Sequence, residues 1–119
     1  MMSVSGIHLT AIGCGDFLLE PTRSLDISKQ GDLIEGVIHR LQRTKARHLY
    51  YDLAELPIID PVYYRWLNAL ARACQAVNVQ MMTIHMQPTA AFALSRSIKE
   101  QPCFRSTHDV ALRNESYAD

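Results

Sequence analysis

The 119-residue chain is 48% hydrophobic, 20% charged and 8% aromatic, the composition of one ordinary globular domain that can bury a core without a metal or disulfide staple. Twelve Lys and Arg balance twelve Asp and Glu, and a formal net charge of zero argues against a broad nucleic-acid footprint or an anionic-membrane surface. No apolar run reaches the roughly 18 residues of a transmembrane helix, and residues 1–10 lack both the basic residues and the sustained apolar core of a secretory signal.

In chain order, the first segment, Ile7 to Ile12, alternates Ile7, Leu9 and Ala11 against His8, Thr10 and Ile12. It ends in the turn cluster Gly13-Cys14-Gly15-Asp16, and Phe17 to Glu20 resumes before Pro21, so a β-hairpin is expected. From about Ser28 to Thr44, Leu33, Ile34, Val37, Ile38 and Leu41 recur at helical spacing. Gly31 and Gly36 weaken that helix by about 1 kcal/mol each relative to Ala, less than the packed stripe returns. The basic run Arg40, Arg43, Lys45 and Arg47 complements the dipole at its end. His48 to Leu53 is a short run of β-formers with apolar bulk on both faces, which predicts a central strand.

A connector, Ala54 to Ile59, leads to the clearest helix start. Asp60 is an N-cap and Pro61 suits the first helical position. The helix should run to about Val77, with Tyr63, Leu67, Leu70, Cys74 and Val77 in one stripe and Asn78 as its stop. Trp66, Ala69 and Ala73 widen the stripe, while Arg65, Asn68, Arg72 and Gln75 fall on the wet side. Val79 to Met86 predicts another strand, with His85 inside it, and Thr89 to Ile98 another helix after Pro88. Lys99 to His108 is expected as an irregular loop, Val110 to Leu112 as a last strand, and 115–119 as a short tail on a single domain over 1–114. The result is an α/β fold of order β-β-α-β-α-β-α-β, a mixed, mostly parallel sheet with helices packed on it.

The motifs of common catalytic sites are absent: no CxxC, HExxH, GxGxxG, Walker loop or GxSxG occurs. Cys14, Cys74 and Cys103 are irregularly spaced, as reduced thiols in cytoplasm would be, and no base is evident near any of them. His8, His39, His48, His85 and His108 show no ligand spacing, so neither metal nor cofactor is expected. Asp52 and Asp60 lack the third group that an acid/base site would need.

The stretch LYYDLAELPIIDPVYYRWL over 49–67 resembles the central motif of STAS domains: a strand ending in Asp-Leu, an apolar connector, an Asp, then a helix. The later HMQPTAAFAL over 85–94 resembles the strand–Pro–helix element of the same family, and the likeness extends over about Ile7 to Leu112. It is nearest to bacterial stressosome scaffold members and anti-sigma factor antagonists. The resemblance implies a non-catalytic regulator that binds an anti-sigma factor, a kinase or another regulatory protein, and that is commonly switched by phosphorylation of a Ser or Thr just after the residue matching Asp60. Here Pro61 and Val62 follow, so the usual phosphoacceptor is missing, and Thr89 at the next helix start is the nearest substitute.

The partner surface is therefore expected at Ile58, Asp60, Pro61, Tyr64, Arg65, Gln87 and Thr89, with Tyr64 exposed at the rim as an aromatic anchor. A small-molecule or nucleotide sensor using the cleft at the strand ends is the alternative. The apolar N-terminal strand offers an edge for a homodimer.

Overall fold

Alternation sets the first hairpin. Ile7 and Leu9 are buried while His8 between them is exposed, and strand β2 (Ile7–Gly13) pairs antiparallel with β3 (Asp16–Pro21). Gly15 turns the chain at φ +79°, a backbone state open to glycine. The computed structural model describes residues 2–4, 6–97 and 102–107. Within these, an additional strand, β1 (Met2–Val4), pairs antiparallel with β2. The outer edge of the sheet is thus β1, and not β2 as the sequence pattern had suggested.

Helix α1 (Gln30–Arg43) follows a single 3-10 turn capped by Asp26, whose carboxylate accepts the Ser28 N–H. Leu33, Val37 and Leu41 face inward, as their spacing requires. Strand β4 (His48–Asp52) lies parallel between β3 and β5 (Gln80–Ile84). Helix α2 (Pro61–Ala76) starts where the Asp60-Pro61 step predicts, and Asn78 ends it at φ +63°. Helix α3 (Pro88–Ser97) leads to β6 (Arg105–Thr107), parallel to β5. The sheet therefore runs β1-β2-β3-β4-β5-β6 in sequence order.

Sequential parallel strands joined by right-handed crossovers place their helices on one face. Phe17, Leu19, Leu49, Tyr51 and Met81 from that face meet Leu33, Val37, Leu41, Leu67, Leu70 and Cys74 from α1 and α2 in the main core. The opposite face carries a small cluster of Tyr50, Met82 and Ile84.

Three expectations need correction. Residues 105–107, expected in a loop, form β6, because Thr83 and Ser106 hydroxyls bond at 2.8 Å and hold the strand to β5. Asn68, expected on the wet side of α2, is 1% exposed. Its Oδ1 accepts the Cys103 N–H at 2.8 Å, so the segment before β6 covers this flank. His85, expected within a strand, lies just past β5, exposed and at φ +59°. The predicted strand over Val110 to Leu112, His108 and the tail fall outside the described residues.

Candidate functional site

The carboxyl ends of β4 and β5 deliver two chain segments to the same rim. From β4 comes the connector to α2, and from β5 the short step to α3. Asp52 ends β4 and accepts the Ala54 N–H at 2.9 Å, folding the connector back. The same Oδ1 lies 3.1 Å from His85 Nδ1, which joins the two strand ends. Gln87 Nε2 donates to the Ala54 carbonyl at 2.6 Å, and the Thr89 hydroxyl donates to the Pro57 carbonyl at 2.5 Å. Two side chains near the start of α3 thus hold the connector that leads into α2.

At the helix start, Asp60 accepts the Tyr63 N–H at 2.7 Å through its side chain, and its carbonyl takes the Tyr64 N–H at 2.9 Å. Pro61 has no N–H to leave unsatisfied. Of the apolar residues flanking the cap, Ile59 turns into the core, and its neighbours on either side face out. Ile58 is 65% exposed and Val62 53%. On α3, Ala90 faces the core, whereas Phe92, well round the helix from it, is 64% exposed with the Arg96 guanidinium over its ring at 5.6 Å. Exposed Ile, Val and Phe at two adjoining helix starts give this end of the molecule an apolar character that exposed surface seldom has.

Six of the seven expected surface residues, Ile58, Asp60, Pro61, Arg65, Gln87 and Thr89, lie on this rim exposed or half-buried. Tyr64 does not. It is 5% exposed, and its ring packs edge-on against Phe104 at 6.1 Å. The physical reason is the one that buries Asn68: residues 102–104 lie along the α2 flank that carries positions 64 and 68. Trp66 is also fully buried. Val62 and Phe92 were not singled out from sequence, although each is an apolar residue lying off its helix's buried face.

Beneath the rim, Trp66 Nε1–H donates to the Tyr51 hydroxyl at 2.9 Å, and the Tyr51 and Tyr63 hydroxyls are 2.5 Å apart. Burial pushes both phenols above their ordinary range, so both stay protonated at neutral pH. Cys74 is buried, and burial pushes its thiol up to about 12, which makes it a packing residue rather than a nucleophile. Asp52 and Asp60 are both committed to backbone N–H groups.

No protein-family model matches the sequence, and no curated protein sequence matches it. Solved structures do. RsbS from Moorella thermoacetica superposes with a TM-score of 0.71 at 15% identity, covering 95% of this chain and 99% of that one. A chain of the stressosome, described as a signal integration and transduction hub, matches at 0.71 and 11% identity over 93% and 97%. The anti-sigma factor antagonist SpoIIAA in its unphosphorylated form matches at 0.58 and 9% identity over 94% and 96%.

The chain has the STAS fold. Within the STAS fold the rim described above is built by β4, the Asp60-Pro61 helix start and the Pro88 helix start, the elements on which the sequence resemblance rested. No helix among the described residues is long and apolar enough to cross a membrane.

Proposed function

We propose that this chain is a non-catalytic regulatory module of bacterial cytoplasm, which acts by binding a regulatory protein such as an anti-sigma factor or kinase. The surface is Ile58, Asp60, Pro61, Val62 and Arg65 from the α2 start, with Gln87, Thr89 and Phe92 from the α3 start. The observation that carries the reading is the exposure of Ile58 and Val62 on either side of a helix start capped by Asp60 and Pro61. A prearranged apolar surface loses little conformational entropy on association.

Binding here needs complementarity and no bond chemistry, and Asp52 and Asp60 are already engaged by backbone. The surface also lacks the usual phosphoacceptor. Pro61 and Val62 have no hydroxyl, the Tyr63 hydroxyl lies against Tyr51, and the Thr89 hydroxyl is spent on Pro57. Partner affinity would then be set by the surface as folded, without a charge added at the α2 start. A homodimer through the β1 edge is compatible with this arrangement, because the rim lies at the strand ends and not along that edge.

The test is affinity capture from the native host with identification of the bound protein, repeated with the Ile58→Asp, Val62→Asp double variant. The wild-type chain should retain a regulatory protein, and the variant should lose it by about a hundredfold, as loss of two central anchors implies. Equal retention by both forms, or turnover of any substrate, would reject the reading.

A further inference from the structure

A cavity of about 500 Å3 opens at the carboxyl ends of β3 and β4, and Ile58 is not among the residues that line it. Its volume lies in the range of small-molecule sites. One wall is the turn after β3, Thr22 to Leu25. The other is Glu55 and Leu56 of the connector, with Tyr63 between them.

Both walls are built. The Thr22 N–H donates to the Gly6 carbonyl at 2.9 Å, and the Leu25 N–H to the Thr22 carbonyl at 3.1 Å. Gly6 stands at φ +79°, and a Cβ there would come within 2.5 Å of the Leu25 backbone, so this close approach requires glycine. On the opposite wall, the Leu56 N–H closes a turn on the Leu53 carbonyl at 3.0 Å.

The lining offers three polar functions with no partner among the described residues for their charge or proton, together with apolar Leu25 and Leu56. Arg23 and Glu55 form no ion pair with any described residue. The third function follows from proton accounting. Tyr51 is fully buried and already accepts the Trp66 N–H. Its own proton has one acceptor in reach among the described residues, the Tyr63 oxygen. A buried hydroxyl left without that bond would cost about 1–3 kcal/mol. Tyr51 therefore donates to Tyr63, which leaves the Tyr63 proton outside the relay, on a residue whose side chain is part of the cavity lining.

We propose that this cavity binds a small zwitterion of the amino-acid type. The Arg23 guanidinium takes its carboxylate, with the Tyr63 proton as the further donor, Glu55 takes its ammonium, and Leu25 and Leu56 meet its carbon skeleton. One cation, one anion and one directed donor on an uncharged floor match a ligand bearing both charges. A simple anion or simple cation would leave one wall charge facing it unfavourably or unpaired. The inference stands apart from the partner surface, although the two sites share the connector from Leu53 to Asp60.

The test is titration of the full chain, without partner, by free L-amino acids with apolar, polar, acidic and basic side chains, each alone, followed by NMR. The N-acetylated and amidated forms of the same amino acids serve as single-charge comparisons. At least one amino acid should shift the Tyr63, Leu25 and Leu56 resonances saturably, and its acetylated and amidated forms should bind at least about tenfold more weakly. Arg23→Ala and Glu55→Ala, both at exposed positions, should each weaken binding by about tenfold with the spectrum of the fold intact. Tyr63→Phe should weaken it several-fold. The proposal is overturned if no amino acid shifts these resonances, if a single-charge form binds as tightly, or if the Arg23 and Glu55 variants bind as the wild type does. Each of these results leaves capture of a partner protein at Ile58 unaffected, so the two readings fail separately.

Discussion

The two ends of the parallel strands contrast sharply. At the amino end, the Gly15 carbonyl accepts both the Arg47 N–H at 2.6 Å and the His48 N–H at 3.0 Å, and the Arg47 carbonyl takes the Gln80 N–H at 2.9 Å. His48 Nδ1 lies 2.9 Å from Asp16. Starts of β3, β4 and β5 are thereby laced together by short, satisfied connections. At the carboxyl end the connections are longer, and three apolar side chains stand exposed nearby. Backbone satisfaction at one end frees the other end to carry groups that the fold itself does not need. That division is the reason binding residues in open α/β sheets concentrate at strand carboxyl ends.

Substitutions at the two ends should therefore separate stability from binding. The largest loss of stability is expected at Tyr51→Phe, which removes the acceptor of the buried Trp66 N–H and should cost about 1–3 kcal/mol in denaturant unfolding. The same tyrosine pair sets an alkaline limit. Because burial raises both phenols above their ordinary 10.0, the stability they contribute is complete below pH 10.0 and is lost as pH rises beyond it. Unfolding measured alongside tyrosinate absorbance should show the two changes together, and Tyr51→Phe should weaken the effect.

Gly15→Ala at the amino end comes next. It forces a side chain into positive φ with its Cβ 3.0 Å from Arg47 Cδ, and should cost about 1–2 kcal/mol while leaving partner affinity unchanged. A fall in affinity would show that the two ends are coupled. Asp60→Ala should cost about 1 kcal/mol by loss of the cap, and here affinity should fall as well, because the α2 start frays within the binding surface. The smallest effect is expected at Lys45→Gly. Lys45 holds φ +56° after α1, so glycine should add about 0.5 kcal/mol of stability, again with no change in binding.

Much of the fold was legible because its signals are local. The Asp60-Pro61 step needs only its own first turn to act as a cap, and the α1 stripe needs only a helical period. The same locality made Asn78 readable as the end of α2. Tyr64 and Asn68 show where such reading stops. Both lie off the main stripe of α2, and a helical wheel assigns such positions to solvent unless something else covers them. What covers them is Cys103, whose N–H reaches Asn68 across 35 positions of chain, and Phe104, whose ring packs on Tyr64. The 3-residue β6 has no periodicity of its own and exists through its pairing with β5.

Sequence by itself determined the order of elements from β2 to α3, the helix start at Asp60 and the missing hydroxyl beside it, since each depends on residues within a few positions of one another. Tertiary structure alone decided which flank of α2 is dry, that Ile58, Val62 and Phe92 gather on one rim, and that Arg23, Glu55 and Tyr63 surround one cavity. Those outcomes depend on which distant segments pack together, and no local preference of a residue encodes its distant neighbours.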